Sequence, residues 1–366
     1  MFKRKYLVFS MVIISFVLLT CIHLLWLWFG LLLFILIFKL ASSSSIVRAN
    51  IFLYLLVHFS IVMVLSICCR LFIFEIYTVP SNSMEDALCP GNKLLVSKLH
   101  YGPKLPQSVQ DIPFINLVLK SKNRDAGMCD AKNNSNKRLR GFSEIKYGDM
   151  IIFKRSGKKN FLVKRLLGMS GDKFQIVNSK VVVNGQIMDE FPTFKRQYSL
   201  LFLNNVDIKG LTEKLNVEFG KRSDINDYME VIAILNQSQL QDIKKAKGFI
   251  SAEVILMDNR SYPRNEKISW SVDNMGPFLV PRKGMTIVLD SVNYILYARA
   301  IKTDEGVPLV ENDGKYFVNE RQVTHYTFLQ NYYFVLGDNK NSSNDSRYWG
   351  FVSENGVVGK VAYVLL

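Results

Sequence analysis

The sequence predicts a mainly β, antiparallel domain that carries an inserted α/β subdomain and follows an N-terminal helical membrane anchor. Three observations predict it. The first quarter of the 366 residues is intensely apolar. The remainder is cut by dense turn signals into short strand-like runs, such as 93–97, 150–153, 174–177 and 180–183. One stretch, 223–247, breaks that pattern, because Ile225, Met229, Ile232 and Leu235 recur at helical spacing.

The anchor comes first. Residues 6–40 are almost unbroken apolar sequence, and a single span needs only about 20 residues. The run therefore predicts two short helices, about 6–22 and 24–40, turning near Cys21-Ile22-His23. A third apolar run covers 51–73. Lys3, Arg4 and Lys5 precede the first run, and Lys39 and Arg48 flank the linker before the third. Basic flanks stay on the cytoplasmic side, so three spans place everything beyond residue 74 outside the cytoplasm. The predicted organisation is a membrane anchor over 1–76 and a first domain part over 77–186, whose segment 107–146 is a polar insertion. An inserted subdomain over 187–275 and a second domain part over 276–366 follow. Within the first part, Asn184-Gly185 behind Val181-Val182-Val183 is a tight-hairpin signal.

Composition narrows the function. The chain carries 46 basic and 31 acidic residues, a net charge of +15. That balance suits anionic lipid headgroups. No basic helix or aromatic-basic ribbon of the nucleic-acid type accompanies it. The five cysteines form no Cys-x-x-Cys pair and no His-Cys cluster, which argues against zinc. Only Cys89 and Cys129 lie outside the apolar region, and an oxidising compartment would favour a disulfide between them. Histidines number four, two of them in apolar runs, so a histidine-based triad has few candidates.

Four motifs carry chemistry. Tyr77-Thr78-Val79-Pro80-Ser81-Asn82-Ser83-Met84 directly follows the third apolar run. Tyr147-Gly148-Asp149 precedes a strand-like run. Val163-Lys164-Arg165-Leu166-Leu167-Gly168 leads to Gly171-Asp172. The last is Gly337-Asp338-Asn339, then Ser343, Asp345-Ser346-Arg347 and Tyr348-Trp349-Gly350. Their order and spacing resemble the boxes of bacterial signal peptidase I, the Ser–Lys leader peptidases of family S26, in a long, insert-bearing form. Two positions depart from that pattern. The stretch after Met84 reads Glu85-Asp86-Ala87-Leu88, where many members have a proline and threonine before the leucine, and Ser170 stands where a proline is common.

The residues can also be read on their own. A serine hydroxyl needs a base within hydrogen-bond reach. Lysine serves only when neutral, and its reference pKa is about 10.4. On a strand Leu162, Lys164 and Leu166 share one face, an apolar setting that lowers a lysine pKa. Taken alone, Lys164 reads more readily as one of 46 basic residues on a solvated edge. Ser83 alone reads as a loop residue at a membrane exit. The four boxes reverse both readings.

The resemblance implies Ser83 as nucleophile and Lys164 as general base. It implies that Ser81 helps bind the oxyanion, that Ser343 orients the lysine, and that Asp345 and Arg347 pair to hold their loop. Asp338 and Asn339 are expected to stabilise the turn, as such residues do. No metal or cofactor is implied. The implied reaction is removal of signal peptides from exported preproteins, with small residues at the first and third positions before the cut. The implied setting is a multi-pass protein of the cytoplasmic (inner) membrane, with its catalytic domain on the outer side. Its partners are then preproteins and membrane lipid, with the secretion translocon as a candidate. Two alternatives stay open at this level: a specialised processing peptidase for pilus or conjugation subunits, and a non-catalytic membrane protein with a degenerate protease fold.

Overall fold

The computed structural model describes residues 65–106, 138–158 and 160–365, together with positions 35 and 63. The expected spans 6–22 and 24–40, most of 51–73, residues 107–137 of the polar insertion, and Cys129 lie outside the described residues. Among the described residues no helix is long and apolar enough to cross a membrane. The chain divides into two units. One draws on Met1–Tyr77, Lys93–Glu144 and Gly359–Leu365, and the other on Thr78–Asn92 and Ile145–Val358.

In the first unit a wide helical turn, Cys69–Ile73, runs into strand β1 (Phe74–Thr78). β1 lies beside β2 (Lys93–Ser97). β2 in turn pairs antiparallel with the last strand of the chain, Val357–Leu365, from Lys93↔Leu365 to Ser97↔Lys360. Leu94 and Val96 are buried while their neighbours are half-buried, the alternation of a strand with one face inward.

The second unit is built on the hairpin of β3 (Met150–Lys154) and β4 (Phe161–Gly168), in register from Met150↔Arg165 to Lys154↔Phe161. Next come β5 (Lys173–Val177), β6 (Lys180–Val183) and β7 (Gln186–Ile187). Asn184 and Gly185 form the two-residue loop between β6 and β7, with φ of +52° and +84°. A loop of that length takes residues with positive φ because its twist then matches the strands.

A self-contained sheet follows. It comprises β8 (Arg196–Leu203), helix α1 (Ile208–Leu215), β9 (Phe219–Ile225), β10 (Tyr228–Leu235), helix α2 (Gln237–Lys244) and β11 (Phe249–Val254). Its order is β11-β8-β10-β9, and its core of Leu200, Phe202, Met229, Val231 and Ile243 is separate from that of the rest of the unit. Here the helical reading of 223–247 needs correction. Residues 228–235 are a strand, and only Gln237–Lys244 is a helix. Met229, Ile232 and Leu235 recur at helical spacing, but the buried residues are every second one, Met229, Val231, Ala233 and Leu235. Apolar Ile232 and Ile234 on the outward face mask the period of two.

β12 (Met275–Leu279) then joins β5 in a second sheet, β12-β5-β6-β7. β13 (Thr286–Val288), helix α3 (Ser291–Arg299), the meander of β14 (Leu309–Asn312), β15 (Lys315–Val318) and β16 (Arg321–Val323), and β17 (His325–Thr327) complete the flank. β18 (Tyr332–Leu336) returns beside β4 and is buried throughout. One helical turn, α4 (Ser346–Trp349), and the short β19 (Val352–Ser353) follow it.

Aromatic rings fill the core between these sheets, among them Phe174 and Phe334 with centroids 4.6 Å apart. β4 is thus a central strand, held by β3 on one side and β18 on the other. Successive side chains of a strand point to opposite faces. Lys164 and Arg165 are therefore carried rigidly in opposite directions.

Candidate active site

Ser83 sits on a single tight helical turn, Asn82–Met84. Backbone bonds from Val79 to Asn92 and from Gly91 to Val79 tie the surrounding loop to itself. Met84 is fully buried and fixes the turn from below. Lys164 reaches this turn from β4. Its Nζ lies 2.5 Å from Ser83 Oγ and also donates to the Val163 carbonyl at 3.0 Å. Ser81 Oγ lies 3.2 Å from Ser83 Oγ. The Lys164 side chain is only 3% exposed. Burial lowers its pKa to about 8, although Asp345 and Asp338 pull it upward and Arg347 adds to the lowering. Loss of water disfavours the charged amine more than the two carboxylates restore it.

The loop after β18 closes the site. Gly337 lies where no side chain would fit: a Cβ there would come 2.2 Å from Ser343 Oγ and 2.4 Å from the Ser83 carbonyl oxygen. The Asn339 N–H donates to that same carbonyl at 3.2 Å. Asp345 accepts from Arg347 Nε and Nη2, both at 2.9 Å, and from the Gly337 N–H at 3.1 Å. Burial alone would raise the Asp345 carboxyl, but the Arg347 guanidinium holds it below its ordinary value. Arg347 Nη2 also donates to the Lys340 carbonyl at 2.7 Å.

Two expected contacts differ. Ser343 is buried beside Gly337, yet its hydroxyl, near the Asp345 carboxylate, makes no well-formed hydrogen bond and none to Lys164. Asp338 does not act as a turn residue. Its carboxylate takes a two-point bond from Arg165, at 2.8 and 2.6 Å, and a third from the Thr193 hydroxyl at 2.5 Å. Asn339 donates its backbone N–H to the Ser83 carbonyl and its side-chain amide to Glu85 at 3.1 Å.

These contacts predict two outcomes. Breaking a buried pair leaves an uncompensated charge, so Arg347→Ala should destabilise the folded protein by about 3–5 kcal/mol in chemical denaturation. Gly337→Ala must push the Ser83 turn and the Ser343 loop apart. A displacement of about 1 Å can lower a rate by roughly 10²-fold, so turnover should fall far more than the melting temperature does.

Sequence reading missed Arg165, Thr193, Lys195 and Lys340. The strand pattern could have placed Arg165 on the face opposite Lys164, but its partner lies 173 residues away. Lys340 is buried and donates to the Ser179 carbonyl, and burial drives its pKa well below the ordinary value. A loop of Asp, Asn, Lys and Ser carries no signal that its lysine is inside.

The four motif regions thus converge within the second unit. A family model described as signal peptidase, peptidase S26, matches residues 52–228 and 276–366. Curated relatives called signal peptidase I include one from Buchnera aphidicola subsp. Baizongia pistaciae, 26% identical over 298 residues, covering 81% of this chain and 70% of that protein. Another, from Haemophilus influenzae, is 23% identical over 299 residues and covers 81% of this chain and 64% of that one. A crystal structure of a signal peptidase I from Enterococcus faecalis V583 aligns with 61% of this chain and 98% of its own, at 16% identity and a TM-score of 0.23. The family match, which takes in well over half of the chain and all four motifs, shows that the chain belongs to the signal peptidases of peptidase family S26 and is a signal-peptide-removing hydrolase.

Proposed function

We propose that this peptidase cleaves with a Ser83–Lys164 dyad. The observation that carries the proposal is the buried contact of 2.5 Å between Lys164 Nζ and Ser83 Oγ, made by a lysine with no salt-bridge partner of its own among the described residues. Neutral Lys164 takes the Ser83 proton as Ser83 Oγ attacks the scissile carbonyl. The proton then passes to the departing amine, leaving an acyl ester on Ser83. Lys164 next takes a proton from water, the resulting hydroxide attacks the ester, and Ser83 leaves reprotonated. In this reading the Ser83 N–H and the Ser81 hydroxyl, whose Oγ lies 3.2 Å from Ser83 Oγ, receive the oxyanion, and one such donor is worth about 3 kcal/mol in the transition state. Ser343 shapes the wall beside Gly337, and Asp345 with Arg347 holds that wall in place.

The substrates in this reading are exported preproteins with small residues at the first and third positions before the cut, since larger side chains would clash in small pockets. The apolar runs at 6–22, 24–40 and 51–73 and their basic flanks support a multi-pass anchor in the cytoplasmic membrane, with the catalytic part outside. An enzyme and a signal peptide held in one bilayer meet at raised effective concentration.

The test is a preprotein panel incubated with detergent-solubilised protein, with the cut site mapped by mass spectrometry. Cleavage after small residues, lost when the first or third is made Phe, is expected. A panel in which only pilus-type or conjugation subunits are cut would replace general export with a specialised role. No cleavage of any member would sink the proposal.

A further inference from the structure

Two departures from the family touch each other. One is the stretch Glu85-Asp86-Ala87, directly after the Ser83 turn, where the resemblance implies proline and threonine before Leu88. The other is the segment 229–275, which the family model leaves unmatched. Asn236, within that segment, caps α2: its side chain accepts from the Gln239 N–H, and Gln239 caps back. Its Nδ2 has a separate task and donates to Asp86 Oδ2 at 2.6 Å. Lys195, at the entrance to β8, places Nζ 2.8 Å from Asp86 Oδ1 and 3.5 Å from Glu85 Oε1.

The same lysine is bound to the site loop by its backbone. Its N–H donates to the Asp338 carbonyl at 2.9 Å, and its carbonyl accepts from the Lys340 N–H at 3.3 Å. Two residues on, Gln197 exchanges bonds with the Asn341 side chain, both at 3.1 Å. The sheet β8–β11 is thus fastened to both halves of the site, the turn of Ser83 and the loop of 337–347. Asp86 itself is held at φ +76°, a conformation that a side-chain-bearing residue keeps only when its surroundings enforce it.

We infer that the inserted sheet is a brace for the nucleophile turn, with Asn236, Lys195, Glu85 and Asp86 as positioning residues. A rigid proline would stiffen the turn from within. Here an acidic pair gripped from outside takes that part, and the insertion supplies one of the grips. The inference rests on Ser83 being the nucleophile.

The test uses the full chain and a cleavable preprotein. Asn236→Asp keeps the helix cap, because aspartate accepts from the helix N–H as well as asparagine does, but it sets two carboxylates against each other. A drop in kcat of about tenfold or more is expected, with KM within about twofold and the pH profile unmoved, because Lys164 is untouched. The double variant Asn236→Asp/Asp86→Asn exchanges donor and acceptor and should recover kcat. Lys195→Met should lower kcat similarly, and Lys195→Arg should recover most of it. If Asn236→Asp does not fold, Asn236→Ser keeps the cap without the reach to Asp86 and should show the same loss. A kcat within twofold of the parent in the single variants overturns the brace. So does a loss that follows the melting temperature and is not restored by the exchange. Ser83→Ala run beside them separates the two ideas: if it stays active the dyad fails, and if it is dead while the brace variants keep full activity, only the brace fails.

Discussion

Ser83→Ala should lower kcat/KM on a preprotein by about four orders of magnitude or more, since removing a nucleophile removes the whole covalent route rather than one favourable contact. The fold should be unaffected. Ser83 is a small residue on a one-turn helix, and the buried anchor of that turn is Met84, not Ser83. Substrate binding should persist, because the substitution removes only the Oγ, so the variant should retain uncut preprotein. Wild-type rates in a pure Ser83→Ala preparation would refute the dyad. The pH dependence gives a second reading from the same assay. With Lys164 lowered to about 8 by burial, kcat/KM should rise as pH climbs through that region and level off above it, because only the neutral amine accepts a proton. A flat profile from pH 5 upward would exclude a lysine base.

Lys164→Met should abolish cleavage and at the same time stabilise the protein at pH 7. The folded state holds this amine at a pKa of about 8, below the ordinary 10.5. Below both values the amine is charged in both states, and folding bears the full desolvation penalty. Between them the unfolded chain binds more protons than the folded one, so stability rises with pH across that window. Above both the penalty is gone. At about 1.4 kcal/mol per pKa unit the penalty is roughly 3 kcal/mol. The lost hydrogen bond to Ser83 offsets about 1 kcal/mol of that. Methionine, similar in length and uncharged, should therefore raise the unfolding free energy at pH 7 by roughly 1–3 kcal/mol. It should also flatten the stability curve between pH 8 and 10.5. A clear loss of stability at pH 7 would mean that the buried amine is not held against its charge.

Much of this site is legible in the residues. The strands at 93–97 and 180–183 read directly, because each is a short apolar run bounded by turn residues. The contact of Ser83 with Lys164 links positions 81 residues apart and is legible only through the motif order. Asp338 shows where reading stops. Its neighbours suggest a turn, and its true partner, Arg165, is chosen by the pairing of β4 with β18. Ser343 shows the same limit at finer scale, since the hydroxyl's direction depends on how closely Gly337 lets two backbones approach. In 228–235 the period of two is masked because Ile232 and Ile234, on the outward face, are as apolar as the buried residues between them.

The pairing of β2 with the final strand has a consequence for when the enzyme exists at all. Lys93 meets Leu365 and Ser97 meets Lys360, so one unit is completed only once residues 360–365 have been made. The other gathers its site from positions 83, 164 and 337–347. Contacts of such sequence separation form slowly, and none can form before the distant partner has been made. During synthesis the chain passes through a long interval in which Ser83 is present but Lys164's pocket is open and the 337–347 loop is missing. On the proposed dyad, a chain made only as far as Ser83 is inert until Lys164 and the 337–347 loop have followed it.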